Sequence, residues 1–521
     1  MTRHVLRLAI AATALAAMAA AASPAVGAEH ALSLDDAIGM ALQRNDDIRI
    51  DRESAGAAAA TVTAANGAYD PTVELDGSWL RSTRPVTYLG AGGVPTLVAP
   101  EDRTTDVTLL VRQFLPTGGA ITARAGGSRA STDDAFSLLS PEYDTRVGLE
   151  LRQPILRDRA TDASRTAIRV AAAGRTGATA SLRTTLEQTV ASVERAYWTL
   201  VAARRDVLVQ RESVRLAEEQ LGETQSRVST GAAPRTELAQ PRAELERRRG
   251  EMLAAGEASA RAENALKVLV LDGEADPLWA DSLAPADRAE TTTDSVDVGD
   301  AVHEALQNRP ELAVAQAIVT RRHAETALAK DGIWPRLDVV LSYDRYGLAG
   351  DRNAAAPAGS LPPGLEGGLG DAFGSIGDGE YDAARVALVL GLPLGNREAR
   401  GNAAAARHVE RQAEVALVRL RKTIRAEVLD AAAGLDAARQ RIEAARSARE
   451  AAEVQLDAER DRYATGLSTN FLVLTRQNDL SRARLEEISA LTDYRTARTE
   501  MARATGTLLE RHHIDVGPPA R

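Results

Sequence analysis

The side chains best suited to chemistry in this chain are few and scattered. Its 521 residues hold seven histidines and no cysteine. His512-His513 is a pair that a metal ion would meet only adventitiously, and its position beside the chain end reads as a solvated tail. His303, His323 and His408 stand at separate points on helical segments, without the spacing of metal ligands. Gly374-Ser375-Ile376-Gly377-Asp378-Gly379 gathers glycines, but it follows no strand-to-helix turn of the kind that cradles a phosphate. Neither the nucleotide pattern G-x-x-x-x-G-K-S/T nor the zinc-protease pattern H-E-x-x-H occurs. No catalytic, cofactor or metal site is expected, and no reaction; any energy source lies in partner proteins.

The elements that carry these residues are therefore the better guide. Hydrophobic content is 44% while aromatics make up only 3%, so a core must be built from Ala, Leu and Val, which favours helix–helix packing. The net charge of −10, with no basic cluster interleaved with aromatics, gives no reason to expect nucleic acid. Residues 1–28 read as a signal peptide. Arg3 and Arg7 supply the charge, Leu8 to Ala22 the apolar run, and Val26-Gly27-Ala28 the cleavage site before Glu29. The run is shorter than the roughly 20 residues that span a bilayer. Without cysteine there is neither a disulfide framework nor a lipid anchor. No later apolar run is long enough for a membrane helix, so entry into a membrane requires strands closed into a barrel.

The chain is duplicated. Asp36 to Gln43 returns as Asp300 to Gln307, and the same shift carries Pro71 onto Pro335, Val73 onto Leu337 and Trp79 onto Tyr343. The first repeat spans 29–290 and the second 291–510, with 511–521 as a C-terminal tail. Ser33 and Asp36 form a capping signal for a helix running to about Asn66, where Asn66-Gly67 stops it. Period-2 alternation marks strands at Thr72 to Trp79, Asp106 to Val111 and Arg146 to Leu151, within 72–153, and at Asp338 to Tyr343 and Ala384 to Leu390, within 337–392. Gly90 to Pro100, Ser128 to Pro141 and Gly347 to Gly379 read as long loops. An extra strand pair around Pro116-Thr117-Gly118-Gly119 is open in the first half only.

Helical hairpins follow at about 162–271 and 396–508. Val193, Leu200, Val207, Val214, Leu221 and Val228 keep a sevenfold ladder, and Val428, Leu435, Ile442, Arg449, Leu456 and Tyr463 repeat it with one polar break. Such seams mean coiled-coil packing. The first helix, about 64 residues, would extend roughly 100 Å. Gly231 and Gly466 close the hairpins.

On these residues the chain resembles the TolC-like outer-membrane factor family. The resemblance rests on Tyr69-Asp70-Pro71 and Trp334-Pro335 entering the strands, Gln153-Pro154-Ile155-Leu156 and Leu392-Pro393-Leu394 leaving them, and the two glycine tips. It is densest from Arg462 to Gly506. It implies a fold that is mainly α with a β-barrel part: a homotrimer in which four strands per subunit build a 12-stranded outer-membrane barrel above a periplasmic tunnel of helices. Trp79, Tyr88, Tyr143, Trp334, Tyr343, Tyr346 and Tyr381 lie in or beside the strands, as interfacial girdles would.

The implied function is the channel of a tripartite efflux system, carrying small molecules from an inner-membrane transporter and a periplasmic adaptor to the outside. Type I protein secretion shares the duct and stays open, and a periplasmic coiled-coil scaffold is the reading from another class. By position Glu237 matches a constriction carboxylate and Tyr463 the tyrosine beside it. The second tip has Ser468, Leu472 and Thr475 where the family carries its gating arginine and carboxylates, so a different gate is expected, drawing on Arg235. Thr230-Gly231-Ala232 and Thr465-Gly466-Leu467 would face the adaptor.

Overall fold

The structure is a computed structural model that describes residues 29–89, 95–134, 136–287, 297–354 and 361–514; the signal segment lies outside the described residues. The described residues divide into two compact units, one within Met1–Ser54, Thr179–Ala313 and Val418–Arg521, the other within Ala55–Ala178 and Val314–Leu417. The fold is mainly α with a β-sheet part, and the duplication is visible element by element. In chain order the first repeat gives β1 (Glu29–Leu32), α1 (Leu34–Arg44), α2 (Asp46–Asn66), β2 (Thr72–Thr83), β3 (Val86–Leu89), β4 (Pro95–Val98), β5 (Glu101–Phe114), β6 (Ala120–Thr132), β7 (Leu139–Pro154), α3 (Ala163–Ser229), α4 (Ala239–Val270) and β8 (Ser282–Pro285). The second gives α5 (Val298–Asn308), α6 (Pro310–Asp331), β9 (Arg336–Arg352), α7 (Leu369–Asp378), β10 (Asp382–Gly391), α8 (Arg397–Ala464), α9 (Asn470–Thr505) and α10 (Leu508–Arg511).

The Ser33 cap is present, its hydroxyl accepting from the Asp36 amide at 3.1 Å. The helix expected to run unbroken to Asn66 is instead two helices. Asn45 ends α1 in extended geometry, and its side-chain oxygen accepts from the amides of Asp47 and Ile48, which starts α2. The short β1 pairs in parallel with β8. Leu32, Ile38, Ile48, Val190, Leu266 and Leu283 are buried together in this helical unit. No described helix is long and apolar enough to cross a membrane.

In the other unit six strands make one antiparallel sheet in the order β10-β9-β7-β6-β5-β2. The four strands per chain implied by the resemblance become six. The pair around Pro116 to Gly119 is the β5–β6 hairpin, and it lies inside the same sheet, between β2 and β7. Two expected loops shrink accordingly: β6 and β7 occupy most of Ser128 to Pro141, and β4 occupies Pro95–Val98 within Gly90 to Pro100. Gly347 to Gly379 is likewise not one loop, since β9 runs to Arg352 and α7 folds back onto the sheet. Gly347 permits this approach: a Cβ there would sit 1.9 Å from the Ala372 carbonyl oxygen.

Alternation gives the sheet two unlike faces. Paired residues share a face, so the ladders place Val73, Leu75 and Trp79 with Val107, Leu109 and Val111, then Ala123 and Ala125, Val147 and Leu149, Leu341 and Tyr343, and Val386 and Leu388. Most of the large side chains in that set are exposed, Val386 at 77%. The opposite face carries Glu74, Asp76 and Thr108, and three cross-strand ion pairs: Arg124–Glu150 at 2.8 Å, Arg146–Asp344 at 2.9 Å and Arg152–Asp338. Trp79, Tyr143 and Tyr343 fall on the apolar face, whereas Tyr346 lies on the polar face under the Arg146 guanidinium.

Candidate functional site

The two helical tips are built alike down to single hydrogen bonds. α3 and α8 each continue until a Thr-Gly pair. Gly231 and Gly466 then take the left-handed conformation, at φ 79 and 77. An L side chain there costs roughly 1–2 kcal/mol, which accounts for glycine at both positions. The amide of Ala232 donates to the Arg227 carbonyl and that of Leu467 to Arg462, each at 2.8 Å. Thr230 and Thr465 return their hydroxyls to the carbonyls of Ser226 and Asp461, each at 3.1 Å. The helix ends thus satisfy their own backbone. Thr230, Gly231, Ala232, Thr465, Gly466 and Leu467 are all exposed, Leu467 at 81%.

Polar contacts tie the first hairpin to the second. The Arg227 guanidinium stacks over the Tyr463 ring at 5.1 Å, with Tyr463 itself buried. Further along, the Gln220 amide donates to Asn470 at 2.6 Å, Arg247 donates to Asn478 at 2.9 Å, and the Ser213 and Ser481 hydroxyls meet at 3.1 Å. Glu237 and Arg235 share the short 3-10 turn Arg235–Leu238, are exposed, and make no ion pair with one another among the described residues. Tyr463 therefore meets Arg227 rather than Glu237 within one chain. At the second tip Ser468 donates to the buried carboxylate of Glu459. Arg227, Gln220, Asn470 and Glu459 were not found by sequence reasoning. The repeated Arg-x-x-Thr-Gly pattern was the available signal for Arg227, while the others lie outside any shared motif.

The polar break in the heptad ladder also finds its reason. Arg449 forms a 2.7 Å ion pair with Glu487, and Glu453 joins at 2.9 Å. Glu487 stands seven residues from both Leu480 and Tyr494, which are buried seam residues of α9. The charged positions of the two ladders thus meet each other, a device that fixes helix register.

The chain end is a correction. His512 is not solvated: its side chain is 11% exposed and its Nε2 meets the buried Glu194 carboxylate, which also accepts from the Thr499 hydroxyl. Burial pushes Glu194 up, but the His512 and Thr499 hydrogen bonds outweigh it and hold the carboxyl below its usual range. Glu187 has no such hydrogen bond among the described residues. Burial, then the charge of Glu311, pushes its carboxyl up to about 7. Among the described residues no group of His, Asp and Glu is arranged to hold a metal ion.

Residues 301–507 match the family of outer membrane efflux proteins. No curated protein matches the sequence. The fold matches solved structures across most of the chain. A membrane protein from Pseudomonas aeruginosa is 20% identical over 91% of this chain and 90% of its own, with a TM-score of 0.63. The Campylobacter jejuni CmeC outer membrane channel is 16% identical over 91% and 86%, at 0.63. The outer membrane protein VceC of Vibrio cholerae is 18% identical over 91% and 96%, at 0.62.

Proposed function

Because residues 301–507 match the outer membrane efflux protein family and the chain has the fold of solved outer membrane channels, we propose that this protein is a channel and not an enzyme. Three copies would assemble in the outer membrane, with the long helices in the periplasm, as a passive gated duct. The observation that carries this reading is the two-faced sheet. Its apolar face presents exposed large side chains on β2, β5, β7, β9 and β10, with small residues on β6, while its polar face is laced with ion pairs, as expected of strands with lipid on one side and water on the other. A soluble periplasmic scaffold has no use for such a face.

The duct would receive small molecules from an inner-membrane transporter through a periplasmic adaptor seated on the two Thr-Gly tips, whose backbones are satisfied and whose surfaces are bare. Glu237, exposed beside the first tip, would converge with its copies in a ring. Carboxylates brought that close would attract cations. Arg235 in the same turn and Tyr463 beneath Arg227 would set how tightly the ring closes. Planar-bilayer recording tests the gate: Glu237→Ala and Tyr463→Leu should each raise the open probability, and Glu237→Ala should weaken cation preference. Unchanged conductance and selectivity in both variants would remove the gate from this proposal.

A further inference from the structure

Among the described residues the sheet ends in two bare edges, β2 and β10, which run in opposite directions because the strand number is even. Each offers an unpaired ladder of similar length, 12 and 10 residues, and such edges invite pairing with another copy. We infer that the assembled channel closes as an 18-stranded barrel, β2 of each subunit pairing with β10 of the next. The inference rests on the trimeric reading above and adds six strands to the twelve that the family resemblance implies.

The β5–β6 hairpin cannot be set aside as a surface insert. It pairs with β2 over all twelve residues of that strand and with β7 over Ala120 to Ala130. Its apolar residues Val107 and Leu109 lie in the same exposed face as Leu75 and Val147. Its turn is also fastened to the foot of β7. Thr117 donates to the Gln153 side chain at 2.8 Å and Gln153 returns a bond to the Thr117 carbonyl at 3.0 Å. A Cβ on Gly118 would fall 2.1 Å from the Asp158 carbonyl oxygen.

The register supports closure at this size. The row of paired residues that starts at Thr72 on β2 passes through Arg112, Thr122, Glu150 and Ser342 to Arg385 on β10. Arg385 lies six residues before the end of β10 at Gly391. Seating Thr72 of one copy opposite Gly391 of the next therefore shifts the row by six residues per subunit. With strands about 4.8 Å apart and a rise of about 3.3 Å per residue, a shift of one residue per strand gives a tilt of about 35°, within the usual range for barrels. In that register Leu75 faces Leu388 and Val73 faces Leu390, so the apolar face continues across the seam, and Arg81 stands opposite Asp382. A one-residue slip would turn each apolar side chain against a polar neighbour. At this tilt the backbone radius is roughly 17 Å for eighteen strands against roughly 11 Å for twelve.

The chain has no cysteine, so disulfide pairs read the seam directly. Leu75→Cys combined with Leu388→Cys in the full-length protein, oxidised in membranes, should give covalent dimers and trimers on denaturing gels. Electron microscopy of the detergent-extracted channel should show eighteen strands. If Leu75→Cys instead cross-links within one chain to Leu149→Cys, and twelve strands are seen, β5 and β6 stand outside the barrel; the inference fails while the channel reading survives. Monomers without a closed barrel would overturn both.

Discussion

The two repeats are near-copies in their helices and unlike in their strands. α1 and α5 each have 11 residues, α3 and α8 have 67 and 68, and the tips share their hydrogen bonds. Yet the first repeat gives four strands to the large sheet and the second gives two. The helical hairpins therefore resist change more than the sheet does. A heptad seam has a fixed partner along its whole length, so an insertion shifts every later contact. A sheet accepts one more hairpin between neighbours without reversing any strand, provided the added number is even.

Four tests probe this contrast between the repeats, the first with the largest expected effect. Leu109→Arg in the extra hairpin and Leu388→Arg in β10 should each destabilise the assembled channel by about 2–4 kcal/mol if both meet lipid, with Thr108→Arg on the polar face tolerated. Heat dissociation of the oligomer on gels reads this out. A harmless Leu109→Arg beside a damaging Leu388→Arg would place the extra hairpin out of lipid.

Glu187 belongs to the first repeat alone, its counterpart under the shift that carries Val193 onto Val428 being Lys422. Its folded pKa is raised, so its contribution is fully present below the unfolded value and is lost as pH rises through about 7. Glu187→Gln should therefore gain up to about 3 kcal/mol over the parent at pH 8 and little at pH 4. Thermal unfolding across that range checks the sign, and equal shifts at both pH values would contradict it.

Arg449 occupies a seam position where the first repeat has Val214. Glu487→Ala should cost about 2 kcal/mol, less than a fully buried pair because Glu453 still holds the guanidinium. Adding Arg449→Leu should recover most of the loss, as followed by denaturant unfolding. The smallest effect belongs to the tips. Gly231→Ala and Gly466→Ala should each cost about 1 kcal/mol, and by the same amount, since both glycines hold the same φ. A marked inequality in thermal stability would show that the tips are alike only in backbone.

Much of this was legible in the sequence, for physical reasons that differ by region. Strands β2, β5, β7, β9 and β10 announce themselves because large apolar residues alternate, as Val73, Leu75 and Trp79 do. β6 does not. Its apolar-face positions Ala123, Ala125 and Gly127 are small, filling the space beside Leu109 and Leu149, so alternation of size is lost although the ladder is regular. The seams and tips were readable from sevenfold spacing and repeated Thr-Gly. The contacts that join the hairpins were not, because Gln220–Asn470 and Arg227–Tyr463 pair residues some 240 positions apart with no local pattern. His512 was misread for the same reason: nothing near it in sequence indicates Glu194.

Strands that live in a membrane and close only between copies leave a direct signature in extraction. Outer membranes should be fractionated, extracted with salt and then with detergent, and the extracted protein weighed in solution. Release only by detergent, at the mass of three chains, is the expected result. Release by salt as a single chain would contradict it.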